Sequence, residues 1–107
     1  MRIPSDAFLA RKKLTGYLLV PRTRSDKSKF LAQAGFTLED PDILEQAIRQ
    51  LVAANDAVED RQDEYGTFFR VEGTLVGPDG ELAVVTVWLL PSVEQRFHFV
   101  TLKPKRG

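Results

Sequence analysis

The strongest constraint on the fold is a short turn, Gly77-Pro78-Asp79-Gly80, that lies between two runs rich in β-branched and aromatic residues. Residues 67–76 precede this turn and residues 81–90 follow it. Glycine, proline and aspartate favour tight turns, and the flanking composition is typical of half-buried strands. The sequence therefore predicts a β-hairpin whose strands cover 67–76 and 81–90.

Two further strands are predicted on either side of this hairpin. Residues 57–63 are polar enough for an edge strand, and residues 95–103 follow a turn at Pro91-Ser92. Side chains alternate between the faces of a strand. Alternation puts Val85, Val87 and Leu89 on one face and Val84, Thr86, Trp88 and Leu90 on the other. In the last strand it puts Phe97, Phe99 and Thr101 on one face and Arg96, His98, Val100 and Leu102 on the other.

The first half of the chain instead shows helical spacing. The clearest helix has Asp40 as its cap and Pro41 at its first position, continues through an apolar stripe and closes at Asn55. A shorter helix is predicted over 27–34, capped by Ser25 or Asp26 and closed by Gly35.

A first helical stretch, which Ser5 or Asp6 caps and Pro21 ends, carries an apolar face formed by Phe8, Leu9, Lys13, Leu14, Tyr17 and Leu18. The predicted class is therefore α+β, with two or three N-terminal helices followed by a three- or four-stranded antiparallel meander. A chain of 107 residues suits a single domain, 1–107, with a short basic tail.

Composition narrows the classes of function. The chain has no cysteine, which excludes a disulfide scaffold and a cysteine nucleophile, and it has neither a membrane-length apolar run nor a signal-like start. We therefore expect a cytoplasmic protein with no membrane partner. Net charge is zero, but residues 1–30 carry +6, residues 31–94 carry −10 and residues 95–107 carry +4. If the fold joins the two ends, they form one basic face; otherwise the tail is merely solvated.

The candidate chemical residues are few. His98 is the natural proton-transfer group, or else a surface histidine between two core phenylalanines. Lys27 and Lys29 open a helix, where a cation opposes the helix dipole, so they either hold a phosphate or are solvated. The hydroxyls of Thr86 and Thr101 could orient a phosphate. Trp88 either stacks on a base or fills the core. We expect no metal and no cofactor, since the acids at 59–64 are more typical of a solvated surface.

Short motifs spread over nearly the whole chain resemble an uncharacterised family of small bacterial domains. They are Lys13-Leu14-Thr15-Gly16-Tyr17-Leu18-Leu19, Asp26-Lys27-Ser28-Lys29-Phe30 with Ala34-Gly35-Phe36, Tyr65-Gly66-Thr67, Thr86-Val87-Trp88 and Phe99-Val100-Thr101-Leu102-Lys103-Pro104. Domains of this kind occur alone and at the C-terminal tips of polymorphic toxins. They are similar to the barnase-like and EndoU-like ribonuclease fold, which also runs helices first and an antiparallel sheet second.

This resemblance implies a metal-independent ribonuclease of toxin–antitoxin or phage-defence type. His98 would act as acid or base, Lys27 would stabilise phosphate, and Thr86 and Thr101 would orient it. Lys29, Arg24, Trp88 and Lys103 would contact RNA. The chain departs from the toxin pattern at 22–26, where relatives have a glycine-rich loop, and at His98, where they tend to carry arginine.

One geometric objection stands against that site. His98 and Thr101 are three residues apart on one strand, so strict alternation puts them on opposite faces unless a bulge intervenes. The alternative function is a non-catalytic interaction module, immunity-like or regulatory, whose acidic middle segment meets a basic partner. The partners expected are RNA, a small protein or an antitoxin. The edge strand 57–63 would also allow a dimer.

Overall fold

The computed structural model describes residues 1–23 and 27–106. Its second half is a four-stranded antiparallel sheet in the order β1-β2-β3-β4, which confirms the predicted meander. The strands are β1 (Val58–Asp63), β2 (Gly66–Gly77), β3 (Gly80–Pro91) and β4 (His98–Pro104). The first half contains α1 (Arg11–Lys13), which continues into a π-helical turn (Leu14–Leu18), then α2 (Ser28–Ala32) and α3 (Pro41–Ala54).

The long helix α3 forms as its sequence predicts. Asp40 is the N-cap residue, Pro41 occupies the first turn and Asn55 ends the helix. Its apolar stripe is buried against the sheet and contributes Leu44, Ala47, Ile48, Leu51 and Val52 to the core. Helix α3 thus covers one side of the sheet, which we call the inner face.

The hairpin between β2 and β3 is also as predicted. Gly77 pairs with Gly80, and Pro78 and Asp79 form the loop. The amide of Asp79 donates to the carbonyl of Ala34 at 2.9 Å, so the loop rests on the end of α2. Gly35 lies beside this contact with φ of +91°, the left-handed conformation that glycine adopts readily. Its predicted role as the closing residue is confirmed.

The two faces of the sheet differ in what covers them. The inner face carries Phe69, Val71 and Leu75 of β2 with Val84 and Trp88 of β3, all within the main hydrophobic cluster. The opposite face, here called the outer face, carries Phe68, Arg70 and Glu72 of β2 with Val85, Val87 and Leu89 of β3. Phe68 and Val85 are buried but do not belong to the main cluster. The faces predicted for β3 are therefore confirmed.

The predicted alternation in the last strand is wrong beyond Phe99. Thr101 pairs with Val87 and Phe99 pairs with Trp88, so Val100 is an extra residue, a β-bulge. The bulge reverses the alternation that follows it. Leu102, opposite Thr86, is fully buried in the core, while Thr101 lies on the outer face with His98. The bulge that the site required is therefore present.

The N-terminal segment also differs from its prediction. Helix begins only at Arg11, and Phe8 instead forms a parallel bridge with His98. The Phe8 amide donates to the carbonyl of Phe97, and the Phe99 amide donates to the carbonyl of Phe8, each at 2.8 Å. The two ends of the chain therefore meet along β4. Helix α2 begins at Ser28, and its predicted caps Ser25 and Asp26 lie outside the described residues.

Candidate active site

The clearest polar cluster links the π-helical turn and the start of α2 to β4. The Nζ of Lys27 donates to the Thr101 Oγ1 at 2.9 Å and to the Tyr17 hydroxyl at 3.2 Å. Lys27 comes just before α2, Tyr17 lies on the π-helical turn and Thr101 follows the bulge in β4. Three distant parts of the sequence therefore converge on one ammonium group, which we call the Lys27 cluster.

The electrostatics of the cluster favour negative charge at Tyr17. The Lys27 ammonium, through its hydrogen bond to the phenol, lowers the pKa of Tyr17 from its ordinary value of about 10. The positive charge of Arg22 acts in the same direction, with its guanidinium carbon 5.1 Å from the centre of the Tyr17 ring. Partial burial opposes both effects, because it disfavours the phenolate. The net result is a phenol that gives up its proton more readily than an isolated tyrosine.

His98 lies on the same face as Thr101, in the neighbouring row of the sheet, because its strand partner Leu89 is two residues from Val87. Its Nε2 is 3.0 Å from the Glu94 Oε1, and its ring meets the edge of Phe8 with centroids 5.5 Å apart. About a third of the side chain is exposed. A carboxylate that holds one ring nitrogen fixes the orientation of the imidazole.

Two of the predicted site residues lie in the core instead. Thr86 and Trp88 are both fully buried on the inner face. The Trp88 Nε1 donates to the Thr86 Oγ1 at 2.9 Å, and that hydroxyl donates to the carbonyl of Val71 at 3.0 Å. These bonds satisfy the polar atoms internally, so neither side chain can reach a ligand. For Trp88, the core interpretation is the one that the structure supports.

The remaining predicted contact residues are separated. Lys29 is exposed and lines a shallow groove with Leu19 and Leu38, apart from the Lys27 cluster. Lys103 lies on the outer face, two residues beyond Thr101. Arg24 lies outside the described residues. The structure thus brings together Lys27 and Thr101, places His98 and Lys103 on the same face, and removes Thr86 and Trp88.

Sequence reasoning missed Tyr17 and Arg22 as site residues. Tyr17 was assigned to an apolar helical face, and its ring does pack against the core, so only its hydroxyl takes part in the Lys27 cluster. A tyrosine whose helical neighbours are leucines gives no sign that its hydroxyl meets a lysine ten residues later. The basic sequence at 22–24 was visible, but the position of Arg22 beside Tyr17 depends on tertiary structure.

Within residues 1–23 and 27–106, no group of three or more histidine, aspartate or glutamate side chains is arranged to hold a metal ion. No helix in that described part combines the length and the apolar character that crossing a bilayer requires.

Comparison with known proteins identifies the family. Residues 4–106 match the sequence model of a family described as a domain of unknown function (DUF6883). Because the match covers almost the entire chain, the chain belongs to this family. No curated protein and no solved structure matched the chain. Membership of an uncharacterised family is confirmed, while the family description names no activity.

Proposed function

We propose that this member of the DUF6883 family is a metal-independent ribonuclease-like domain whose active site is the Lys27 cluster together with His98. The observation that carries the proposal is the Lys27 ammonium held between the hydroxyls of Tyr17 and Thr101. A toxin–antitoxin or phage-defence setting is part of the proposal and is supported only by the sequence resemblance.

Lys27 is suited to bind a phosphate oxygen. An ammonium group has three donors, and Tyr17 and Thr101 accept two of them. Among the described residues the third donor has no acceptor, so it is left for a ligand, and the two bonds already fix the direction in which it points. A preoriented cation in a partly buried site stabilises negative charge on phosphorus more than a mobile surface lysine does.

The proton transfers are assigned to Tyr17, which accepts from this cation, and to His98, which lies one row from Thr101 on the same face. Tyr17 acts as the base and removes the proton from a ribose 2′-hydroxyl, whose oxygen then forms a bond to the adjacent phosphorus. The bond from phosphorus to the 5′-oxygen breaks, and His98 acts as the acid that gives a proton to that leaving oxygen. Lys27 and Arg22 stabilise the extra negative charge. The products are a 2′,3′-cyclic phosphate and a 5′-hydroxyl. The step consumes no water and uses no metal.

The test is cleavage of bacterial total RNA by the purified protein in EDTA. Tyr17→Phe keeps the ring and removes the base, so the rate should fall about 10²–10⁴-fold. Lys27→Ala should lower it about 10²–10³-fold, as loss of one charge-stabilising donor does. Lys12→Ala, an exposed lysine on α1, is the matched control and should cleave like the wild type.

Two results would contradict the proposal. The first is RNA that stays intact at high concentrations of wild-type protein. The second is cleavage that persists unchanged in the double variant Lys27→Ala/His98→Ala, since that activity would come from a contaminating nuclease or another site.

A second candidate function, binding of a protein partner, is favoured by β1. Every residue of this edge strand is exposed, and it carries Glu59, Asp60 and Asp63. An edge strand offers free backbone groups for pairing, and its charge suits a basic partner or, less well, a second copy. Sedimentation at rising concentration tests the dimer, and a constant monomer mass would exclude it.

A further inference from the structure

A second cationic site lies on the outer face, where β4 ends. It is a cleft of about 370 Å³ lined by Arg70, Glu72, Val85, Lys103, Pro104 and Arg106, which we call the Arg70 cleft. Its volume falls within the range of small-ligand sites. Val85 and Pro104 provide an apolar lining, and the remaining side chains are charged.

The charges in this cleft are not balanced. Glu72 forms an ion pair with Lys105, which is not part of the cleft lining. The Lys105 Nζ is 3.2 Å from the Glu72 Oε1. Within the described part of the chain, Arg70, Lys103 and Arg106 form no ion pair. The Nε of Arg70 is also buried and finds no hydrogen-bond acceptor among the described residues. A buried guanidinium nitrogen without an acceptor is unfavourable, and three cations without ion pairs around one cleft favour an anionic ligand.

The position of the cleft relates it to the Lys27 cluster. Arg70, Val87 and Thr101 form one row across the outer face, and Glu72, Val85 and Lys103 form the next row. Successive residues on one face of a strand are about 6.8 Å apart. Thr101, which accepts from Lys27, therefore stands one row from Lys103. A single ligand with repeated negative charges can reach both sites.

We propose that the Arg70 cleft binds a phosphate of the same single-stranded RNA whose neighbouring phosphate lies on Lys27. This inference rests on the proposed function for the identity of the ligand, but the cleft itself does not depend on catalysis. Arg70 engages the phosphate through its guanidinium, Lys103 and Arg106 add positive charge, and the apolar lining packs against the sugar or base. Unpaired strands suit such a site, since their backbone can follow a curved track between separate cations.

The experiment measures binding of a labelled oligonucleotide in which every 2′-hydroxyl is methylated, because that strand cannot be cleaved by 2′-hydroxyl attack. The variant is Lys103→Gln/Arg106→Gln, in which both side chains are exposed and folding is undisturbed. Loss of two phosphate contacts reduces the magnitude of the slope of log K against log salt concentration by about 1.4. At 0.1 M salt this amounts to about 25-fold weaker binding, and the difference disappears toward 1 M.

The control is Lys12→Gln/Lys13→Gln, which removes the same charge from α1 and should leave both the affinity and the salt slope unchanged. Arg70→Lys keeps the charge but loses the guanidinium fork, and it should weaken binding as well. Equal weakening of binding by both double variants would overturn the proposal that the Arg70 cleft binds RNA, because the loss of positive charge anywhere on the protein would then explain the result. Equal affinity for an RNA duplex would overturn the single-strand assignment.

A cleavage assay separates this inference from the proposed function. A dinucleoside monophosphate has one phosphate, so the Lys103→Gln/Arg106→Gln variant should cleave it at the wild-type rate. The same variant should cleave longer strands more slowly than the wild type. If the wild type cleaves nothing yet the cleft variant still loses binding selectively, the nuclease proposal fails while the cleft stands. If the wild type cleaves RNA and the Lys103→Gln/Arg106→Gln variant binds as tightly as the wild type, the proposal for the Arg70 cleft fails and the nuclease proposal stands.

Discussion

The inner and outer faces of the sheet use the same residue type for opposite purposes. Thr86 on the inner face is fully buried, and its hydroxyl is shared between the Trp88 indole and a backbone carbonyl. Thr101 on the outer face is half-buried, and its hydroxyl accepts from the Lys27 ammonium. The difference shows that a polar atom becomes a candidate for function only when its partners leave bonding capacity for a ligand.

What separates the two threonines is the bulge at Val100, which turns Thr101 outward and Leu102 inward, and the buried position of Leu102 should give the largest effect. Leu102→Ala removes a fully buried side chain and leaves a cavity in the core. It should therefore lower the free energy of unfolding by about 2–5 kcal/mol. Urea denaturation followed by circular dichroism measures the change.

Val93→Ala is the matched control for this experiment, because Val93 is 90% exposed in the loop before β4. An exposed side chain away from the core loses little packing, and we expect a cost below about 0.5 kcal/mol. Equal costs for the two substitutions would show that Leu102 is not packed in the core and that the bulge does not set the faces of β4.

The same bulge marks the limit of what the sequence could predict. Alternation predicted the faces of β3 correctly, and cap and turn residues predicted α3 and the hairpin, because these signals are local. An extra residue in β4 changes the local period without changing composition, so Thr101 was assigned to the face of Phe99. The bridge between Phe8 and His98 was missed for a related reason, since pairing across ninety residues has no local signature.

The candidate site shows a similar division. Lys27, His98 and Thr101 were identified from residue type and family resemblance, and the fold places them near the same edge strand. Thr86 and Trp88 satisfied the same criteria but lie in the core, because residue type does not reveal which face of a strand is covered. Tyr17 was missed because an amphipathic side chain within a leucine-rich segment is typical of core packing.

Replacing each threonine by valine sharpens the comparison without changing shape. Thr86→Val leaves the buried Trp88 Nε1 without an acceptor and removes the side-chain hydrogen bond to the Val71 carbonyl, which should cost about 1–3 kcal/mol in unfolding free energy. Thr101→Val should change stability by less than about 0.5 kcal/mol, since its partners retain access to water. Chemical denaturation of the two variants under identical conditions tests this, and similar losses at both positions would contradict the assignment of faces.

The smallest effect concerns the ionisation of Tyr17, and it tests the outer-face cluster directly. The chain has two tyrosines, so in a Tyr65→Phe background the ultraviolet absorbance of tyrosinate reports Tyr17 alone. Its pKa should lie below about 10 and should rise toward that value in Lys27→Ala, because the ammonium that favours the phenolate is gone.

The sign of the linked stability follows from this direction. A folded pKa below the unfolded value means that the folded state releases the Tyr17 proton first. The stabilisation is therefore complete above the unfolded pKa of about 10, declines as the pH falls through the folded pKa and is absent below it. The free energy of unfolding, measured from neutral to alkaline pH, should increase for Tyr65→Phe relative to Tyr65→Phe/Lys27→Ala as the pH rises. A pKa of Tyr17 that is unaltered by Lys27→Ala would mean that the phenol and the ammonium are not coupled in solution, and the cluster would then lose its candidate base.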